Sequence, residues 1–234
     1  MTLALLDNIV WHCLSGAQAH VASGTAEARR YAAGFSPILG FVDKQRPDFA
    51  SLSPYCEPGE HFYCDAWSGA LPAGWQVEAE ATLQKMVWAA PMPQAEPDDE
   101  ADAAFAAQRL GPEHVPQMMA LVALTKPGPF GPRTIELGDY FGVFDGPRLA
   151  AMAGERMFAP PLREISGVCT HPDVQGRGLA RRLMLLLLRR AMQRGETPFL
   201  HVMRDNAGAH ALYRRMGFED RQQSIVRVLS RTSR

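Results

Sequence analysis

The chain has 234 residues, 47% of them hydrophobic and 21% charged, the composition of a soluble globular protein with room for one large domain or two small ones. No apolar run reaches the roughly 18 residues that a membrane-crossing helix needs, and the run Leu183 to Leu188 is closed by Arg189 and Arg190, so no membrane partner is expected. The net charge of −1 hides an asymmetry: residues 1–110 hold 14 acidic and 6 basic side chains, residues 111–234 hold 11 and 18.

In chain order, Met1 to Val10 includes Asp7 and lacks both a basic opening and a small-residue cleavage site. No signal peptide is expected, and the expected compartment is the cytoplasm. Strand-like stretches of aromatic and β-branched residues follow at Arg30 to Val42, Glu60 to Trp67 and Trp75 to Trp88, broken by Gly and Pro. Residues 1–90 therefore form an expected N-terminal α/β domain. Cys13, Cys56, Cys64 and Cys169 lie far apart in a chain too long to need disulfide staples, so reduced thiols are expected. Cys56, His61 and Cys64 resemble part of a metal cluster, but no fourth ligand accompanies them, and no metal is expected.

Residues 91–102 (PMPQAEPDDEAD) combine three prolines with a run of acids and form an expected linker. Beyond it, residues 103–234 form the expected second domain. A helix is expected near Pro112 to Leu124, then a Gly/Pro-rich loop from Lys126 to Arg133. Strands at Gly138 to Phe144 and Arg148 to Phe158 turn at Asp145-Gly146. A strand Glu164 to Thr170, a helix from Gly178 to Arg194 stopped by Gly195, and a strand Pro198 to Met203 compose a crossover unit. The two strands should run parallel, with ligands beyond their carboxyl ends. A helix Asn206 to Met216 and a strand Ser224 to Leu229 close the chain.

The turn Gln175-Gly176-Arg177-Gly178-Leu179-Ala180 lies between the first of these strands and the helix. Its glycines let the backbone approach a ligand, and the first amides of the helix have no intrahelical partner, so they can hold phosphate oxygens at the positive end of the helix dipole. Arg177, Arg181 and Arg182 add full charges. The arginines of the basic half lie on one helix without interleaved aromatics, which suits a compact phosphorylated cofactor better than nucleic acid. A dinucleotide fold would show G-x-G-x-x-G early in a βαβ unit, and a triphosphate loop would need G-K-[ST]; neither pattern fits.

The stretch V-C-T-H-P-D-V-Q-G-R-G-L-A-R-R-L-M, followed by N-A-G-A-H-A-L-Y-R-R-M-G-F, resembles the GCN5-related N-acetyltransferase (GNAT) superfamily. The N-terminal part resembles, more weakly, the acetyltransferase-like half of the glycine N-acyltransferase-like branch. The resemblance implies an α/β fold with a mixed central sheet whose two parallel strands splay apart, with acetyl-CoA as co-substrate. Val168, Cys169 and Thr170 would pair with the pantetheine arm as a strand does. Gln175, Gly176, Arg177, Gly178, Leu179, Ala180 and Arg181 would hold the pyrophosphate, and Asn206 would contact the arm from the other side. Tyr213 would protonate the departing thiolate, and Glu164 would serve as general base, with Glu155 or water as alternatives. Phe130 and Arg133, in the loop where the superfamily covers its substrate, would meet the acceptor together with Glu155.

The expected reaction is direct acetyl transfer to a primary amine of a small molecule or amino-acid derivative. Protein N-terminal or lysine acetylation and a non-catalytic acyl-CoA sensor remain alternatives. His171 and Cys169 are residues of nucleophilic type, but nothing in the sequence joins them as a dyad. A monomer or homodimer is expected.

Overall fold

The computed structural model describes residues 2–67, 69–94 and 106–232. Helix α1 (Ile9–Ser15) precedes strands β1 (Ala22–Gly24), β2 (Ala28–Tyr31) and β3 (Ile38–Phe41). Helix α2 (Phe49–Leu52), capped by the Asp48 carboxylate on the Ser51 amide, leads to β4 (His61–Asp65) and β5 (Trp75–Trp88). Then come β6 (Gln108–Arg109), α3 (Val115–Thr125), β7 (Tyr140–Asp145), β8 (Arg148–Ala159) and β9 (Leu162–Thr170). Helix α4 (Leu179–Gln193), β10 (Thr197–Met203), α5 (Ala207–Met216) and β11 (Phe218–Arg231) complete the chain.

Among the described residues the strands make one sheet of eleven, in the order β1-β2-β3-β4-β11-β5-β10-β9-β8-β7-β6. The expected stretch 91–102, of which 95–102 lies outside the described residues, does not divide this sheet. Strand β5 pairs antiparallel with β10 on one side and with β11 on the other. The residues after 102 therefore do not carry a complete sheet of their own. The two sequence stretches are too far apart for a local pattern to announce that pairing. Two further expectations change. Arg30 to Val42 is two antiparallel strands, β2 and β3, joined by a turn, and the last strand runs the full length of β5 rather than from Ser224 to Leu229.

Each face of the sheet is covered separately. Leu183, Met184, Leu187 and Leu188 of α4 bury one face against Met86, Val143, Leu200 and Val202. Their spacing places them on one stripe of the helix, while its arginines face outward. The opposite face buries Ile9, Cys13 and Leu14 of α1 against Val87, Met157, Leu162 and Phe199. Helix α3 extends this layer by packing Met118 and Leu121 on Tyr140, Met152 and Cys169.

The parallel pair β9–β10 is the irregular part of the sheet. Its register holds only from Leu162–Thr197 to Glu164–Phe199, and the rest of the two strands splays apart. Two bulges accompany the splay. Strand β9 gains a residue between Ser166 and Cys169, where Gly167 has φ of +62°, and β8 gains one between Glu155 and Phe158. A bulge bends its strand and re-aims the side chains beside it. The second bulge brings Arg156 to Glu164.

Candidate active site

The turn after β9 is built by two glycines in the left-handed region, Gly176 at φ +79° and Gly178 at φ +75°. A Cβ at either position would meet no atom within 4 Å. Conformation, not crowding, therefore requires glycine here, and the open side leaves room for a ligand. The Gln175 side chain donates from Nε2 to the Thr170 carbonyl at 3.3 Å, tying the turn to the strand end. Helix α4 then starts with no side-chain cap and no acid in its first turn. Its leading amides and the positive end of a 15-residue helix are available to an anion.

A cavity of about 900 Å³ begins at this turn, passes through the gap between β9 and β10, and ends against α1, β3, β4 and β5. Every residue expected to contact the cofactor lines it, from Val168 to Thr170, from Gln175 to Arg181, and Asn206. The Asn206 Oδ1 accepts the Ala209 amide at 3.1 Å and so caps α5. Thr170 Oγ1 is buried without a hydrogen-bond partner. An amide-bearing arm laid along the splayed edge of β9 fits these groups, since that edge lacks a neighbouring strand.

Tyr213 lines the same cavity, its ring tilted against Phe218 at 6.0 Å. Burial pushes its phenol up to about 12, so it stays protonated. Cys169 is likewise pushed up to about 12 by burial, and His171 spends its Nδ1 accepting the Asp173 amide. Neither has the character of an activated nucleophile. Cys56 and Cys64 are buried while His61 is exposed and paired with Glu78. Among the described residues, no group of three or more His, Cys, Asp and Glu side chains is placed to hold a metal.

Glu164 has a different place from the one expected. It is 1% exposed, and each of its oxygens accepts two hydrogen bonds. Oε1 takes Arg156 Nη2 and His201 Nδ1, both at 2.7 Å, and Oε2 takes Arg156 Nε at 2.9 Å and the Met157 amide at 3.2 Å. Burial alone would push this carboxyl up. The Arg156 charge and hydrogen bonds, then those of His201, outweigh it and hold the group well below the usual carboxylate range. An anion so strongly stabilised and fully occupied is a poor proton acceptor.

The three residues expected to meet the acceptor also lie elsewhere. Phe130 packs edge-on against Tyr140 at 5.6 Å. Arg133 stacks on Phe35 at 4.3 Å and pairs with Glu136. Glu155, 3% exposed, pairs with Arg194 and Arg163 at a separate depression at the far end of β8. None of the three lines the main cavity. The loop does reach it, through Thr125 to Pro129, and Pro129 accepts hydrogen bonds from Arg156 and Ser36.

The side chains that the sequence did not single out are Arg156, His201, Asp65 and Lys85. His201 and Lys85 face each other in the β10–β5 register. Lys85, wholly buried, pairs with Asp65 at 2.6 Å and donates to the Leu6 carbonyl at 2.7 Å. The available signal was a charged or titratable residue within a largely apolar strand, His201 in PFLHVM and Lys85 in TLQKMVW. Such a residue must find a partner once buried.

A family model described as FR47-like protein matches residues 140–228. Mycothiol acetyltransferase of Saccharomonospora viridis is 48% identical over 60 residues, 25% of this chain and 20% of that protein. N-alpha-acetyltransferase RimI of Mycobacterium tuberculosis is 40% identical over 83 residues, 34% of this chain and 51% of that protein. The chain thus spans about a fifth of the first curated relative and about half of the second. A crystal structure assigned to the GNAT family, from Novosphingobium aromaticivorans, is 33% identical and superposes with a TM-score of 0.85 over 97% of this chain and 99% of its own. With identity and fold shared over nearly the whole of both chains, this protein belongs to the GNAT family of acetyltransferases.

Proposed function

We propose that the chain transfers the acetyl group of acetyl-CoA to a primary amine of a small molecule by direct attack. The single observation that carries this reading is the cavity. It runs from the glycine turn, through the gap between β9 and β10, to a buried apolar end lined by Val10, Ile38, Leu83 and Val226. The pyrophosphate lies on the first amides of α4 between Arg177 and Arg181, the pantetheine arm along Val168 to Thr170, and the thioester at the gap. An acceptor then approaches from the α1 side, where apolar side chains and the lid segment from Thr125 to Pro129 limit its size.

The amine nitrogen attacks the thioester carbon, forming the N–C bond and an oxyanion. The oxyanion collapses as the C–S bond breaks, one proton leaves the nitrogen, and the thiolate departs. Unpaired main-chain amides on the edge of β9 are suited to the oxyanion. Tyr213 faces the leaving sulfur. With its phenol near 12 and a thiol near ~8.5, complete transfer of the phenolic proton is uphill, so Tyr213 serves as a hydrogen-bond donor to the thiolate. This takes the place of the full protonation of the thiolate expected of Tyr213.

A second reading, transfer to the N-terminal amine of a protein, is favoured by the similarity to RimI. The buried apolar lining beyond the gap, from Val10, Ile38 and Leu83, favours the small amine. Incubating the protein and acetyl-CoA with a panel of small primary amines and a panel of short peptides, with mass detection, separates the two. N-acetylated small amines are expected, and acetylation confined to peptide N-termini overturns the first reading in favour of the second.

A further inference from the structure

His201 stands on β10 just past the last register pair with β9, where the two strands begin to part. Its Nδ1 lies 2.7 Å from Glu164 Oε1. An ionised carboxylate can only accept, so Nδ1 carries a proton, and in the neutral ring Nε2 is the nitrogen with the lone pair. Nε2 is buried and has no hydrogen-bond partner among the described residues, while the residue lines the cavity. Glu164 is in turn fixed by Arg156, which the bulge in β8 brings to it. A base aimed at a cavity, oriented through its other nitrogen by a carboxylate that is itself clamped, is the arrangement that proton abstraction needs.

We propose that His201 is the general base of acetyl transfer, its Nε2 taking the proton from the attacking amine, and that Glu164 is a positioning residue. The inference rests on the acetyl-transfer reading above. As the N–C bond forms, one N–H proton passes to Nε2. The C–S bond breaks and the thiolate leaves. The imidazolium, held by the Glu164 charge, then gives up its proton, and the thiolate takes one up from solvent. For a neutral amine the products are an amide and a free thiol, with no net change in protons.

The charged groups around His201 are consistent with this role. From β9 it faces Glu164, backed by Arg156 of β8. From β5 and β4 it faces the Lys85–Asp65 pair, whose charges cancel. Tyr31, Tyr140 and Cys13, which also border the Glu164 carboxylate, are pushed up by burial and remain neutral. Glu164, itself paired with Arg156, is thus the carboxylate in direct contact with the ring, and it fixes the imidazole through Nδ1.

The test combines two variants with one measurement on the unaltered protein. H201N keeps a donor toward Glu164 but has no base. It should lower kcat by about 100-fold or more, leave acetyl-CoA affinity in calorimetry unchanged, and abolish the acid limb of the kcat/KM profile. E164Q should retain a larger share of turnover than H201N and keep an acid limb in the kcat/KM profile, because the base is still present and only the group that orients it is altered. Nitrogen NMR of the imidazole rings should show a ring with Nδ1 protonated and Nε2 free, absent from H201N. That measurement needs no acceptor, so it holds even if no amine is acetylated, an outcome that would count against the acetyl-transfer reading alone. Undiminished turnover in H201N with its acid limb intact overturns the proposal, as does a neutral ring protonated at Nε2 as the one signal that H201N lacks.

Discussion

Gln18 Nε2 donates to the Arg156 carbonyl at 2.7 Å, across 138 positions of sequence. The same side chain accepts the Tyr31 hydroxyl at 2.7 Å and the Phe158 amide at 3.1 Å. One buried amide of the N-terminal part therefore closes the bulge in β8 that presents Arg156 to Glu164. Removing it leaves three buried groups without partners, at about 1–3 kcal/mol for each unsatisfied group. Q18A is expected to lower the urea midpoint and to reduce turnover more than acetyl-CoA affinity. A stability unchanged in denaturant titration would contradict the assignment.

Gly178 has φ of +75°, a conformation that costs a residue with a side chain about 1–2 kcal/mol. G178A should weaken acetyl-CoA by roughly that strain, and G178D should abolish binding, because it sets a carboxylate against the pyrophosphate. Calorimetric titration of both variants decides the matter; equal affinities in G178D and the unaltered protein would remove the turn from the binding site.

Tyr213 contributes one hydrogen bond to a charged sulfur, worth about 1.5–3 kcal/mol. Y213F is accordingly expected to lose about 10- to 100-fold in kcat, at 1.4 kcal/mol per factor of ten, with little change in cofactor affinity. A kcat equal to that of the unaltered protein would make Tyr213 a packing residue against Phe218.

The Glu164 carboxyl is held below its ordinary value in the folded protein. The stability it contributes is fully present above the unfolded value near ~4.3 and declines as pH falls from there toward the folded value. Breaking a buried pair by removing one charge costs about 3–5 kcal/mol. E164Q should therefore be less stable than the unaltered protein at pH 7, and the gap should narrow below about pH 4. A gap that widens on acidification would contradict the Arg156–Glu164 pairing.

The parts of the site that were legible in the sequence are those set by local backbone demands. The glycine turn before a helix and the short helix beginning at Asn206 were both expected, and the structure has them there, with Gly176 and Gly178 left-handed and Asn206 capping the helix. The polar cluster under the cavity was not legible. Glu164, Arg156 and His201 meet because of a bulge and a strand crossover, and Lys85 arrives on a strand that precedes residues 91–102 yet pairs with β10. An acid at the start of the cofactor strand has the same sequence signature whether its oxygens are open or filled. Only the partners, 8 and 37 residues away, distinguish a base from a positioning group. Arg133 likewise sits in a loop suited to substrate contact, but Phe35 and Glu136 claim its guanidinium.

The central claim, acetyl transfer to a small amine within the cavity, is tested most directly by steady-state release of CoA thiol at saturating acetyl-CoA. Compact amines with apolar bodies are varied against peptides bearing free N-terminal amines. The account predicts saturable, amine-dependent thiol release with small acceptors and an N-acetylated product in equal amount. Thiol release that no small amine accelerates, in a protein that binds acetyl-CoA, would contradict it.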